Sequence, residues 1–436
     1  MNKAVFGVLL ALTGQAQAAE TLEQAWQAAV QASNALRAEA RRVGAAGEQV
    51  KAAEAAAGPT LKLEGSWTQL DSTPQARIDL TPMTQGLGPL AARLPSSVDA
   101  PLSSNHLGVA DARLSLPLYT SGRLQALRDA ALSSEDAARQ GLTQAEQELR
   151  LQVAEAYFNV LRAGHAHDVA RQYLASLESY QRDVGNFFRK GVVARGDLLG
   201  AEVAVADARQ KQIVAAQAKA LSRAAYNRLL GRAFTQEVAL AEVDWPRETR
   251  PRAQLAAMAD RQRPELAALA RWRDALEANA RSVKAEGGPQ VGAYAAYSYA
   301  DNPYLVNKGY GSLGLGVSWT LFDSGLIRAR AAGVSEQAQA MADQLQEAKS
   351  LVALDVERAA SAELESAERV TVAQSALKSA DEYLAIQRDR YRNGLANQTE
   401  VLAAEARRAD SQRNLYNARY DHALAVVRLK RATGEL

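Results

Sequence analysis

Alternation of apolar and polar residues marks four short segments of the chain. In "LKLEGSWT", which begins at Leu61, apolar residues and glycine occupy every second position, and Lys62 and Glu64 lie between them. Such period-two patterning predicts half-buried strands or, where the apolar side faces outward, strands in contact with lipid. The predicted strands lie near 60–70, 107–119, 290–300 and 310–322.

Long stretches without proline follow the second and fourth predicted strands. They cover 123–190 and 326–393 and are rich in alanine, glutamate, glutamine and arginine. These residue types favour helices, and at a rise of ~1.5 Å per residue each helix would extend about 100 Å. A further helix is predicted after each long one, over 197–230 and 398–431.

The same strand-to-helix corner occurs twice, in "LPLYTSGRL" and in "WTLFDSGLI". The junctions are Ser121-Gly122 and Ser324-Gly325, and the two glycines are 203 residues apart. Glycine allows the backbone to turn, and serine is a common helix N-cap. We therefore predict that the serines cap the long helices and that the chain is a duplicated unit, each copy a strand hairpin followed by a long helical hairpin.

The repeat predicts the organisation of the chain. The first copy covers 19–231, a connector covers 232–250 and is expected near the middle of the helical part, and the second copy covers 251–436. The first copy holds an insertion between its strands that is rich in proline, glycine and serine, which predicts an exposed loop without regular structure.

The first residues of the chain have the pattern of a secretory signal. Lys3 precedes the apolar run Ala4–Leu12, and Ala16-Gln17-Ala18 resembles a cleavage site. Residues 1–18 are therefore predicted to be a signal peptide, so the protein is exported. Later segments do not approach ~18 uninterrupted apolar residues, and a membrane-spanning part would have to be built from strands.

Composition excludes several functions. The 51 basic and 49 acidic residues nearly balance, which gives no reason to expect nucleic-acid binding. The chain has no cysteine, which excludes disulfides and thiolate metal sites. His165 and His167 are two residues apart on a predicted helix and diverge too far to bind one metal ion. We predict neither catalysis nor a cofactor.

Four strands cannot close into a barrel with an interior, and an open sheet edge is not tolerated in lipid. Other copies of the chain can satisfy the two edges. Three copies would supply twelve strands, enough to enclose a lumen.

The chain resembles the TolC-like outer-membrane efflux protein family. The resemblance covers nearly all of 20–436, and the segments that carry it are "LPLYTSGR", "WTLFDSGL", "YQRDVGNFFRKGVVARGDLLGAEV", "YLAIQRDRYRNGLANQTEVLAAEA" and "RPEL". It implies a mainly α fold with a membrane β-barrel, in which a homotrimer forms a twelve-strand barrel in the outer membrane on a twelve-helix periplasmic tunnel. It also implies two partners, a periplasmic adaptor (membrane fusion) protein and an inner-membrane transporter. The chain would be the exit duct of a tripartite efflux or type I secretion system.

The resemblance also implies a periplasmic entrance at the two helical turns. Asp197 and Glu400 match acidic positions of the family entrance, and Tyr391 matches a tyrosine that helps to close it. Ala396 replaces the arginine of the family pattern, so we expect Arg195 or Arg392 to take its place. The alternative for both acids is a helix-capping role, because carboxylates are stabilising in the first turn of a helix.

The turns themselves hold the remaining candidate residues. Gly191 and Gly394 are expected to form the turns, and the cations Arg189, Lys190 and Arg195 are either adaptor contacts or solvated charges. The alternative function is a periplasmic coiled-coil structural or adaptor protein that forms no pore. Within the channel interpretation the cargo can be a drug, a metal or a protein.

Overall fold

The computed structural model describes residues 19–86 and 88–436. The predicted signal peptide, residues 1–18, lies outside this part of the chain. The described residues form two compact units.

The strand unit consists of Gly44–Ala137 and Ala270–Asp343, and it contains the strands of the described chain. The strands are β1 (Thr60–Gln69), β2 (Gln75–Asp79), β3 (Ser97–Pro101), β4 (His106–Tyr119), β5 (Gln290–Asp301) and β6 (Gly309–Ser318). Four of them form one antiparallel sheet in the order β1-β4-β5-β6, so β1 and β6 are its edges.

The two strand hairpins of the repeat have the same register. Thr60 lies opposite Ser115 in the first hairpin, and Gln290 lies opposite Ser318 in the second. The residues of the second pair follow those of the first by 230 and 203 positions, which are the offsets of the sequence repeat. The duplication therefore extends to the pairing of individual residues.

The insertion in the first copy is not the irregular loop that its composition predicts. β2 and β3 pair in an antiparallel hairpin, in which Ile78 lies opposite Val98 and Arg77 lies opposite Asp99. The Arg77 guanidinium donates two hydrogen bonds to the Asp99 carboxylate, at 2.8 and 3.0 Å. A cross-strand ion pair and a β-branched pair stabilise such a hairpin even between segments rich in turn residues.

The helices account for most of the chain. They are α1 (Leu22–Ala32), α2 (Asn34–Ala55), α3 (Thr81–Thr84), α4 (Arg123–Arg189), α5 (Arg195–Leu229), α6 (Arg252–Gln262), α7 (Pro264–Ala285), α8 (Leu326–Arg392) and α9 (Gln398–Thr433), with a 3-10 helix at Gly88–Arg93. The long helices α4 and α8 have 67 residues each. Both follow the predicted ranges 123–190 and 326–393 closely, because neither range contains a proline that would end a helix.

The helical unit consists of the described residues up to Val43 and of Ala138–Leu269 and Gln344–Leu436. Its largest core cluster surrounds Tyr157, Phe158 and Tyr226, and all three side chains are buried. The Tyr157 hydroxyl donates hydrogen bonds to the carbonyl oxygens of Glu20 and Ala241, at 2.8 and 2.7 Å. Burial raises the pKa of Tyr157, which remains a neutral donor.

An ion pair joins the end of the connector to the residues that follow α9. Arg250 donates to the carboxylate of Glu248 at 2.6 Å and to that of Glu435, in the last residues of the chain, at 2.8 and 3.0 Å. Hydrogen bonding from Arg250 lowers the pKa of Glu248 to about 2.

None of the helices in the described ranges has the length and apolarity needed to cross a membrane.

Candidate functional site

The two helical turns have the same backbone. Gly191 follows α4 with a φ of 73°, and Gly394 follows α8 with a φ of 71°. The amide that follows each glycine, that of Val192 or Leu395, donates back to a carbonyl five residues earlier, at 2.9 and 2.8 Å. This is the left-handed helix end that glycine favours, and both glycines therefore form turns.

Asp197 and Glu400 both lie in the first turn of the helix that follows. The Asp197 carboxylate accepts a hydrogen bond from the amide of Ala194 at 3.2 Å, so its side chain helps to cap the N-terminus of α5. In α9 the cap is Asn397, whose side-chain oxygen accepts from the Glu400 amide at 3.0 Å. The Glu400 carboxylate is not needed for the cap, and it lies 4.0 Å from the guanidinium of Arg390.

One side chain joins the two turns. The Gln398 amide nitrogen donates to the backbone carbonyl oxygen of Asp197 at 2.7 Å. Gly200 makes room for this contact, because a β-carbon there would lie 3.2 Å from the Gln398 amide. The start of α9 is thereby held against the start of α5, which brings the segments of both predicted entrance acids together.

Tyr391 packs in an apolar cluster just before the second turn. Its ring lies 5.5 Å from that of Tyr180 and 6.4 Å from that of Phe187, measured between centroids. The same cluster includes the buried Val184 and Val401. Burial raises the pKa of Tyr180, so this ring remains neutral. The cluster joins α4, α8 and α9 at the level of the turns.

The cations at the turns fall into two groups. Arg195 and Arg392 are exposed, and within the described chain neither side chain makes a hydrogen bond or an ion pair with another residue. The cations that reach carboxylates are Arg390, which faces Glu400, and Arg388 on α8. The expectation that Arg195 or Arg392 takes the place of the family arginine therefore stays a prediction.

The sequence analysis missed the ion pair of Arg388 with Glu405. Glu405 is buried on α9, and Ser176 on α4 donates to its carboxylate at 3.0 Å. A signal for this site is present in the sequence: Glu405 lies four residues after Val401, so a charge falls on the buried side of the helix. Buried charges of this kind need a partner, which periodicity alone does not identify.

The two strand-to-helix corners have left-handed serines and glycines. The φ angles are 51° and 84° at Ser121 and Gly122, and 56° and 85° at Ser324 and Gly325. The prediction that the serines cap the helices is wrong, since an N-cap residue requires an extended backbone.

The capping acceptors lie one residue earlier than the serines. In the first corner the Thr120 hydroxyl accepts from the Leu124 amide at 3.4 Å. In the second, the Asp323 carboxylate accepts from the amides of Gly325 and Ile327, at 2.9 and 2.8 Å. The Ser121 hydroxyl instead donates to the Pro289 carbonyl oxygen at 2.8 Å, so it connects the corner to the start of β5.

The helical histidines contact residues other than each other. His165 lies 2.7 Å from a carboxylate oxygen of Glu242 in the connector, and its ring stacks on Tyr416. His167 lies 3.3 Å from the side chain of Gln212. Residues 19–86 and 88–436 contain no group of three or more histidine, aspartate or glutamate side chains arranged to hold a metal ion.

Comparisons with known structures agree with this architecture. The outer-membrane channel OprN superposes with a TM-score of 0.76 at 19% identity, over 95% of this chain and 90% of that chain. The outer membrane protein VceC of Vibrio cholerae gives 0.75 at 18% identity, over 95% and 96%. The open state of the MtrE outer membrane channel of Neisseria gonorrhoeae gives 0.72 at 19% identity, over 95% and 88%. At such identities the similarity shows the fold.

A comparison with curated protein sequences finds no significant match. The model of the outer membrane efflux protein family, in contrast, matches residues 25–232 and 255–435. The two matched ranges together include most of the chain and lie on either side of the connector. The chain therefore belongs to the outer membrane efflux protein family.

Proposed function

We propose that three copies of this chain close into a channel that carries substrates from a periplasmic pump complex to the outside of the cell. In this proposal the chain is the exit duct of a tripartite efflux or type I secretion system. A periplasmic adaptor protein and an inner-membrane transporter are its partners. The observation that carries the proposal is the unpaired edge on each side of the four-stranded sheet.

The exposed side chains of both edge strands support a location in lipid. Leu63 on β1 is 80% exposed and Leu313 on β6 is 85% exposed. Leu61, Trp67, Leu315 and Val317 on the same strands are also exposed and apolar. Apolar surface of this extent is unfavourable in water and favourable in a bilayer, where an unpaired sheet edge is in turn unfavourable. The bilayer accommodates the apolar side chains, and pairing β6 of one copy with β1 of the next removes the unpaired edges.

The four strands of each copy would give a twelve-stranded barrel in a trimer. Closed barrels of eight or more strands are established in outer membranes, and twelve leave room for a lumen. The helices of the three copies would form the periplasmic tunnel, with the two helical turns of each copy at its entrance.

Asp197 and Glu400 are the proposed charges of this entrance. One of each per copy gives six carboxylates in a trimer, and a ring of carboxylates favours cations and repels anions. Asp197 also accepts a hydrogen bond at the start of α5, so the proposal for this residue combines a cap with a lumen charge. The exposed Arg189, Lys190 and Arg195 are proposed to face the adaptor.

The repeat predicts the register in which the copies pair. Within the chain, Ser115 of β4 lies opposite Tyr294 of β5. The corresponding residues of the other copy of the repeat are Ser318 of β6 and Glu64 of β1. We therefore expect Ser318 of one molecule to lie opposite Glu64 of the next.

Disulfide formation tests both the trimer and this register, because the chain has no cysteine of its own. The variant Glu64→Cys/Ser318→Cys should give covalently linked trimers in outer-membrane fractions after mild oxidation. The matched control is Ser66→Cys/Ser318→Cys, whose first cysteine lies on the same face of β1 two positions further on, and it should link much less.

Three outcomes decide the proposal. Covalent trimers from the first variant alone support the closed barrel and its register. Efficient linking by both variants would support the trimer and exclude the register. Monomers in the periplasmic fraction from both variants would exclude the barrel and favour the periplasmic coiled-coil protein.

A further inference from the structure

An open cavity of about 540 Å³ lies on the polar side of the four-stranded sheet, beside the first strand-to-helix corner. Its floor includes Gly292 of β5 and Gly316 of β6, which lie opposite each other in the sheet. A β-carbon at Gly316 would meet no other atom within 4 Å, so the space above this residue is open. Pockets that hold small organic molecules have volumes of this order.

The two glycines open the cavity at positions where the first copy of the repeat has long charged side chains. By the offsets of 230 and 203 residues, Gly292 corresponds to Lys62 and Gly316 corresponds to Arg113. Lys62 and Arg113 likewise lie opposite each other, in the first hairpin. The cavity therefore occupies the space that such side chains would fill in the second hairpin.

Two guanidinium groups line the cavity without a counter-charge. Arg113 belongs to β4, and Arg123 is the first residue of α4. Within the described ranges, neither side chain makes a hydrogen bond or an ion pair with another residue. The carboxylate of Glu286, which also lines the cavity, is 3.1 Å from the guanidinium of Arg330. The N-terminus of a helix is itself positive, so an anion beside Arg123 would be stabilised by both.

The guanidinium of Arg113 is held in place by an aromatic ring. Its central carbon lies 4.8 Å from the centroid of the Tyr294 ring, which is a cation–π contact. Tyr294 also lines the cavity. A guanidinium that lies over a ring keeps the N–H groups at its edge available, and these are the donors that bind carboxylates and phosphates.

Gln290 adds a hydrogen-bond acceptor to the lining. Its amide nitrogen donates to the carbonyl oxygens of Ala285 and Gly288, at 3.1 and 3.2 Å. Its side-chain oxygen is buried, and it has no hydrogen-bond partner in the part of the chain that the structure describes. A buried acceptor without a donor is unfavourable, and a hydroxyl group of a ligand would satisfy it.

We propose that this cavity binds small organic anions. Their phosphate or carboxylate groups contact the guanidinium groups of Arg113 and Arg123, and a hydroxyl group of the ligand donates to the Gln290 oxygen. The site lies within one chain and does not need a second copy to be complete.

The place of the site in the channel rests on the proposed function. The cavity is on the side of the sheet opposite to the exposed Leu61 and Leu313, so it faces the lumen when those side chains face lipid. Three sites would then line the lumen of a trimer at the base of the barrel. Transport requires that a substrate also leaves, so each site should bind its anion weakly.

The test is the binding of inorganic phosphate to the purified full chain in detergent, measured by equilibrium dialysis at low salt. Phosphate at neutral pH carries negative charge and a hydroxyl group, which match the two parts of the site. Arg113→Gln and Arg123→Gln should each weaken binding about tenfold, the loss expected for one charge-assisted hydrogen bond. Sulfate has no hydroxyl group at this pH and should bind more weakly than phosphate.

Two further variants have matched controls. Gly316→Leu fills the cavity while both arginines remain, and it should abolish phosphate binding. Gly311→Leu adds the same side chain to the other side of β6 and should bind like wild type. Lys62→Gln removes a cation on the same side of the sheet but outside the cavity, and it should change the affinity less than Arg113→Gln does.

Each result supports or excludes the inference. Loss of binding in Gly316→Leu and in both arginine variants, with Gly311→Leu unchanged, supports it. Equal losses in Lys62→Gln and Arg113→Gln would exclude a defined site and indicate general attraction to the cations of the sheet. Equal binding of sulfate and phosphate would exclude the role of Gln290.

Failure of the site and failure of the channel give different results. A wild-type protein that forms the disulfide-linked trimer and binds no phosphate would exclude the site and leave the proposed function intact. A protein that binds phosphate and forms no trimer would leave the site and exclude the channel. If the glutamine variants do not fold, Arg113→Lys decides, because it keeps the charge, loses the planar donors and should bind phosphate more weakly than wild type.

Discussion

Gln398 binds the backbone of Asp197 and leaves the Asp197 carboxylate to the first turn of its own helix. The amide nitrogen of Gln398 and the carbonyl oxygen of Asp197 are 2.7 Å apart. The contact between the turns of the two copies therefore does not depend on the charge at residue 197. This separation allows the charge to be removed without breaking the contact.

The variant Asp197→Asn/Glu400→Gln should abolish or strongly reduce cation preference. The amides keep the size of the side chains, and the new asparagine oxygen can still accept from the Ala194 amide, while the six negative charges proposed for the trimer are lost. The reversal potential in a KCl gradient is the measurement, and it should move towards zero. An unchanged reversal potential would exclude both residues from the lumen.

The ion pair of Glu248 with Arg250 makes the free energy of unfolding depend on pH. The folded pKa of Glu248 is lowered from 4.5 to about 2, so the contribution of this carboxylate is present above pH 4.5 and is lost as the pH falls towards 2. Glu248→Gln should lower the unfolding temperature at pH 7, and the difference from wild type should shrink between pH 4.5 and 2.

Circular dichroism at 222 nm across this pH range measures the effect. Glu237→Gln is the control, because that carboxylate is 84% exposed and its loss should change little. A constant difference between Glu248→Gln and wild type over the whole range would contradict the assignment of the effect to titration.

Replacing Ser121 and replacing Ser324 with glycine should have different effects on thermal stability. Both residues have a positive φ, which costs an L-residue about 1 kcal/mol and costs glycine almost nothing. Ser324→Gly removes only this strain and should be neutral or stabilising. Ser121→Gly also removes the hydrogen bond to the Pro289 carbonyl and should be less stable than Ser324→Gly. Thermal unfolding of the two purified variants compares them, and equal unfolding temperatures would argue against a role for that bond.

Proline at position 354 should prevent assembly. Leu354 lies in the interior of α8, where proline removes a backbone hydrogen bond and costs ~3 kcal/mol or more. Leu354→Pro should greatly reduce the amount of trimer on native gels, while Leu354→Ala should not. Wild-type amounts of Leu354→Pro trimer would show that the assembly tolerates a break in this helix.

Local patterns were sufficient for α4, α5, α8 and α9 and for the strands of the four-stranded sheet, and insufficient for contacts between distant parts of the chain. Alternation around Leu61 and the absence of proline after Arg123 depend on neighbouring residues only. The bond from Ser121 to Pro289 joins residues 168 positions apart, and the Ser176 donor is 229 positions from Glu405. Such partners follow from tertiary packing, which the sequence pattern does not encode residue by residue.

The insertion shows a second limit. Proline, glycine and serine in 71–105 predicted irregular structure, yet β2 and β3 pair there. The pairing depends on cross-strand partners such as Arg77 and Asp99, whose segments show too little alternation on their own to indicate strands. Composition describes the average residue content of such a segment, whereas strand pairing depends on the residues at a few cross-strand positions.

The bond from Ser121 to the start of β5 has a consequence for the evolution of the assembly. β5 belongs to the second copy of the repeat, so a contact that joins the two copies within this chain would, in an ancestor with one copy per chain, have joined separate subunits. The duplication is consistent with a precursor ring of six single-repeat chains, in which gene duplication turned every second subunit boundary into a peptide connection and left the others as the interfaces of the proposed trimer.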